Sequence, residues 1–174
     1  MKLTPTASQT VGPFFSIGLE HLYKNCASEA ASSANAITIQ GTVFDADRNP
    51  IPDAVLEFWH SNNFARIATT ETGSFSLVTR KPIPLELPDG TTQSPHLSVL
   101  VFMRGLLKPA FTRVYFSNDP TLANDPALKL VPPSRIATLL AHPQGAPGLY
   151  SWNIAMQGQD ETVFLRYVPT FLPT

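Results

Sequence analysis

A succession of short runs in which apolar and polar residues alternate dominates this chain. Each run is closed by proline or turn-forming residues before a helix of useful length could be completed. Residues 37–44 (ITIQGTVF) alternate in this way, residues 45–50 (DADRNP) supply turn formers, and residues 54–60 (AVLEFWH) alternate again. The same grammar recurs over residues 73–79, 96–102, 112–116, 149–155 and 162–167. A period of two sends successive side chains to opposite faces of a strand. Many short strands with Pro-rich connections predict an all-β fold, a β-sandwich over residues 37–167.

Outside the strands, one short helix is expected, with Ser134 as N-cap before Arg135–Ala141 and Pro143 just beyond its end. Residues 80–95 carry four prolines and a glycine and read as a surface loop. Residues 1–18 have no helical period yet carry Val11, Phe14, Phe15 and Ile17, which predicts an extended arm that docks on another surface. Residues 25–36, rich in Ala, Ser and Asn, read as a linker or a loose helix. A hydrophobic share of 43% with eleven Phe is enough for one core, so residues 1–174 are expected to form a single domain.

Composition excludes several functions. A net charge of −1 without a basic run gives no electrostatic footprint for nucleic acid or anionic lipid. The first residues lack the apolar stretch of a secretory signal, and no run is long enough to span a bilayer, which predicts a cytoplasmic protein. The single cysteine, Cys26, excludes an internal disulfide and any paired-cysteine zinc or redox site. Only 14% of residues are charged, against about 25% in typical soluble domains. Two readings fit that figure: a surface kept polar by uncharged side chains, or a surface partly given over to another chain.

Catalytic patterns are scarce. The turn at residues 45–49 opens like a calcium loop but has Pro50 where glycine is needed and Leu56 where a bidentate glutamate should stand. His21, His60, His96 and His142 are singletons at no metal-ligand spacing, and neither a nucleophile elbow nor a phosphate loop is present. Arg104 stands apart, because it follows the most apolar strand and precedes Gly105, where a guanidinium could project from a strand end and pair a carboxylate.

In chain order, residues 4–15 (TPTASQTVGPFF), 41–45 (GTVFD), 56–59 (LEFW), 94–98 (SPHLS), 101–105 (VFMRG), 112–116 (TRVYF) and 157–164 (QGQDETVF) resemble the intradiol ring-cleavage dioxygenases. Within that family they resemble the α chains of the paired-chain enzymes that act on protocatechuate. The resemblance implies an Fe(III) enzyme of α and β chains that inserts both atoms of dioxygen into protocatechuate and opens the ring to 3-carboxy-cis,cis-muconate. It also implies that two Tyr and two His of the β chain hold the iron. At the matching positions here, His96 survives, Ser98 replaces the second histidine, and Lys81-Pro82 is followed by Ile83-Pro84-Leu85 without a tyrosine. No tyrosine occurs over residues 62–67 either. The resemblance therefore implies that the β chain rather than this one binds Fe(III). It implies further that Thr10, Gly12 and Pro13 of the arm line the partner's cavity and that Arg104 places positive charge near the substrate carboxylate. Against typical α chains, the segments between Tyr23 and Ile37 and between Trp59 and Ala68 are short. With a β chain as the implied partner, the thin surface charge reads as partner-facing surface.

Overall fold

In a computed structural model of the chain, residues 6–12, 14–25, 35–61 and 63–166 are described. The strands are β1 (Ala36–Phe44), β2 (Val55–His60), β3 (Asn63–Ala68), β4 (Ser74–Arg80), β5 (Leu85–Glu86), β6 (Thr92–Gln93), β7 (His96–Phe102), β8 (Ala110–Phe116), β9 (Leu140–Pro143), β10 (Leu149–Ser151) and β11 (Ile154–Ala155). One layer is ordered β3-β2-β7-β8, with antiparallel neighbours. The other pairs β1 antiparallel with β4 on one side and parallel with β10 and β11 on the other. Strand β9 links the layers, running parallel to β8 and antiparallel to β10. The result is a β-sandwich whose sheet is nearly closed.

Alternation in the sequence becomes alternation in burial. In β7, Leu97, Val99 and Val101 are fully buried while His96, Ser98, Leu100 and Phe102 are half-buried on the opposite face. The buried set packs with Leu56 and Phe58 of β2 and faces Ile37, Ile39, Val43, Phe75 and Leu77 of the other layer. Phe58 and Phe75 meet across the layers with ring centroids 6.2 Å apart. Each such side chain contributes roughly 1.5–3 kcal/mol by leaving water. Gly41 marks the tightest approach: a Cβ there would lie 1.7 Å from the Trp152 carbonyl oxygen, so β1 and the segment after β10 can meet only at glycine.

The remaining opening in the sheet is stitched by the segment after the arm. Lys24 exchanges backbone hydrogen bonds of 2.9 and 2.8 Å with Arg66 of β3. The Asn25 side chain bonds the backbone of Ser76 and Val78 on β4. Buried Glu57 accepts from both Nε and Nη2 of Arg66, tying β2 to β3 on the outward face.

Several local expectations are corrected. The arm is not extended throughout, because Phe14–Gly18 forms a short α-helical turn and Glu20–Leu22 a 3-10 turn. The expected helix at 135–141 is a 3-10 segment, Pro133–Leu139, without a side-chain cap from Ser134. It stops at Leu140 because that residue turns extended to pair with Tyr115. The segment at 162–166 forms no strand; Thr162, Val163 and Leu165 donate their amides to Ala155, the Thr138 hydroxyl and Phe111, three separate elements rather than one ladder. The 80–95 segment contains the two-residue strands β5 and β6, and β3 occupies a stretch to which the sequence pattern assigned no strand. Pro13, Cys26, Tyr167 and most of the expected linker lie outside the described residues.

Candidate functional site

Strand β7 carries candidate residues at both ends. At about 3.3 Å per residue, its seven residues separate His96 from the turn after Phe102 by about 20 Å, so the two ends are distinct places.

At the far end, Arg104 and Gly105 form the turn into β8, and Gly105 adopts a φ of +92° that other residues avoid. The Gly105 amide donates to Thr10 Oγ1 at 2.7 Å, which docks the arm on this turn. The Phe15 ring packs on Phe102 at 5.6 Å, and the Phe15 amide donates to the Gly12 carbonyl at 3.0 Å. A Cβ at Gly12 would meet nothing within 4 Å, so this stretch of the arm faces open space. The structure thus brings Thr10 beside the Arg104 turn and sets Gly12 next to it along the arm, whereas Pro13 is outside the described residues.

Sequence reasoning missed Asp53. Its Oδ2 lies 2.9 Å from Arg104 Nε, with side-chain exposures of 15% for Asp53 and 59% for Arg104. Both carboxylate oxygens are sealed from solvent and accept no aligned hydrogen bond, so the contact is an ion pair that fixes the Nε edge of the guanidinium. The Nη edge remains for an external acceptor, in the fork geometry that matches a carboxylate. No local signal marks Asp53, which reaches Arg104 only because β2 and β7 are neighbours.

At the near end, positions that the resemblance matches to three of the four iron ligands converge. His96, Ser98, Ile83, Pro84, Leu85 and Trp59 surround a pocket of about 220 Å³ together with His60 and Ser61. His96 is held from behind: buried Asp125 accepts the Ser94 amide at 2.7 Å, and the Ser94 carbonyl accepts His96 Nδ1–H at 2.7 Å. Asp125 also accepts the amides of Ala127 and Leu128, both at 2.9 Å, so it anchors the covering loop as well. Burial, reinforced by the Arg113 charge, pushes the His96 pKa down to about 4, so the ring is neutral with its proton on Nδ1. Burial alone lowers His60. Tyr115, pushed up to about 12 by burial, keeps its proton and points its hydroxyl to Asp125 at 3.4 Å.

This donor set does not fit a ferric ion. Fe(III) is hard and takes anionic oxygen donors, but among the described residues the pocket offers imidazole, hydroxyl and hydrocarbon, with neither carboxylate nor tyrosine in its lining. Among the described residues no group of three or more His, Cys, Asp or Glu could hold a metal.

No protein-family model matches the chain. The α chain of protocatechuate 3,4-dioxygenase from Burkholderia cepacia is 35% identical over 193 aligned positions, covering 93% of this chain and 97% of that one. The chain belongs to this α-chain family. The corresponding α chain from Pseudomonas putida is 30% identical, covering 95% and 98%. Among solved structures, a hydroxyquinol 1,2-dioxygenase from Pseudomonas putida shares the fold with a TM-score of 0.61 at 17% identity, over 76% of this chain and 59% of that one. A catechol 1,2-dioxygenase from Acinetobacter gives 0.58 at 18% identity, over 72% and 53%. The chain therefore shares the β-sandwich fold of those solved structures. No helix among the described residues is long and apolar enough to cross a membrane.

Proposed function

We propose that this chain is the non-catalytic α subunit of a cytoplasmic protocatechuate 3,4-dioxygenase, active only with a β chain that holds Fe(III). The observation that carries this reading is the pocket beside His96. Positions matched to three of the four ligands line it, at His96, Ser98 and the Ile83–Leu85 stretch, and they supply one imidazole and no phenolate. The reaction belongs to the assembled pair: dioxygen and protocatechuate combine, both oxygen atoms enter the product, and the ring opens between its hydroxyls to 3-carboxy-cis,cis-muconate. The share of this chain is positional. The arm residues Thr10, Gly12 and Pro13 wall the partner's cavity, and Arg104 receives the substrate carboxylate on its Nη edge while Asp53 holds its Nε edge.

Co-expression with the β chain tests the assignment. The pair is expected to carry one iron per α and β chain and to consume oxygen with protocatechuate, and the α chain alone to do neither. Stoichiometric iron in the isolated chain, or oxygen uptake without a partner, would overturn it.

A further inference from the structure

We propose that the pocket at the His96 end of β7 is a binding site for a neutral single-ring phenol. It lies about 20 Å along β7 from the Arg104 turn and needs no residue of another chain.

Size sets the first limit. The cavity measures about 220 Å³, and an apolar cavity of about 150 Å³ is enough to take benzene. One substituted ring fits and a fused or drug-sized ligand does not.

The walls set the second. Trp59 is 46% exposed although it lies on a sheet face, and its indole is held in place by the Phe64 ring at a centroid distance of 4.4 Å. It therefore presents a fixed aromatic surface at no further conformational cost. Ile83 and Leu85, 70% and 49% exposed, supply hydrocarbon from the 80–95 segment. Large exposed apolar side chains gathered around a concavity mark a place that gains by being covered.

The polar groups set the third. His96 Nδ1 is committed to the Ser94 carbonyl, so the neutral ring leaves Nε2 as a bare acceptor, and Nε2 makes no hydrogen bond within the described residues. Ser98, two residues on and therefore on the same face of β7, brings a hydroxyl that is likewise unused. An aromatic hydroxyl seated here donates to Nε2 and accepts from Ser98, satisfying both groups. Among the described residues no lining side chain is an acid, a lysine or an arginine, which disfavours an ionised ligand. Arg113 stands opposite Ser98 on β8 but turns its Nη1 to the Tyr115 hydroxyl at 3.3 Å.

The test uses the full chain with its histidine side chains labelled with nitrogen-15, titrated with phenol and followed at His96 Nε2 by NMR. Phenol is expected to shift that resonance saturably with a Kd of about 1 mM, the strength usual for so small a ligand. Cyclohexanol and benzoate are each expected to bind at least tenfold more weakly. Ser98→Ala is expected to weaken phenol about tenfold, and Ile83→Trp, at an exposed position, to fill the pocket and abolish the shift. A shift that fails to saturate, survives Ile83→Trp, or is matched by cyclohexanol or benzoate would overturn the proposal. Because the readout needs neither iron nor turnover, it is independent of the subunit assignment.

Discussion

Replacing Arg104 with alanine separates two effects that the structure predicts should be separable. The guanidinium is 59% exposed and meets Asp53 only through Nε, so its Nη edge can make two charge-assisted bonds to a substrate carboxylate. Such bonds contribute about 1.5–3 kcal/mol each at best. The Asp53 charge beside the guanidinium weakens its pull, so about 2 kcal/mol for the pair is a reasonable total, or about 30-fold in affinity. Steady-state oxygen uptake by the assembled enzyme should show the KM for protocatechuate rising about 30-fold in Arg104→Ala, with catechol, which lacks the carboxylate, nearly unchanged. The second effect is on folding. Removing the cation leaves Asp53 with sealed oxygens and no partner, at a cost of about 1–3 kcal/mol, near the low end because water enters the space vacated. For a chain of this length that lowers Tm by about 3 °C. Arg104→Ala combined with Asp53→Asn should recover the Tm and leave the KM defect in place. An equal KM rise for catechol, or recovery of KM together with Tm, would refute the reasoning.

Three further outcomes follow from local geometry. Asp125→Ala removes the acceptor for three amides and should destabilise the chain by about 3 kcal/mol or more, read as a fall in denaturant midpoint. Gly41→Ala forces a methyl group into the Trp152 carbonyl and should cost about 2–3 kcal/mol; a neutral result in the same assay would contradict the close approach of the two segments. His96, with its folded pKa near 4 and faced by Arg113, Asp125 and His60, binds fewer protons folded than unfolded between about pH 6.5 and 4. Its contribution to stability is therefore complete above about pH 6.5 and lost as pH falls toward 4. Urea melts across that range should show a steeper decline in the native chain than in His96→Gln.

Strand β7 was legible in the sequence because an apolar run of strand length stands between Pro95 and the turn at Gly105, with Leu97, Val99 and Val101 recurring at a period of two. Strand β3 was not: its Arg66 reads as a solvent residue until Glu57 on the neighbouring strand is known to receive it. The opposite error occurred at 162–166, where the alternation is regular but the backbone bonds are divided among three elements and build no ladder with any one of them, and at 135–141, where apolar spacing favoured a helix but Leu140 is drawn into the ladder beside Tyr115. Local pattern reports what a segment could bury, and long-range pairing decides what it becomes. That His96 stands beside Ser98 and a stretch without tyrosine was readable because it is a matter of residue identity. The Asp53–Arg104 pair and the Asp125 anchor were not, since each joins segments far apart in the chain through one side chain.

The thin surface charge gains a location from the structure. Among the described residues, the large apolar side chains left exposed include Phe14, Ile17 and Leu22 on the arm segment and Leu107 in the turn it covers. A second group, Trp59, Ile83 and Leu85, rims the pocket beside His96. Leu130, also exposed, lies on the 3-10 turn Leu128–Leu130. A surface kept neutral merely by uncharged polar side chains would scatter such residues. Gathering them at two ends fits the subunit role proposed above, in which one end is offered to a partner and the other borders a cavity.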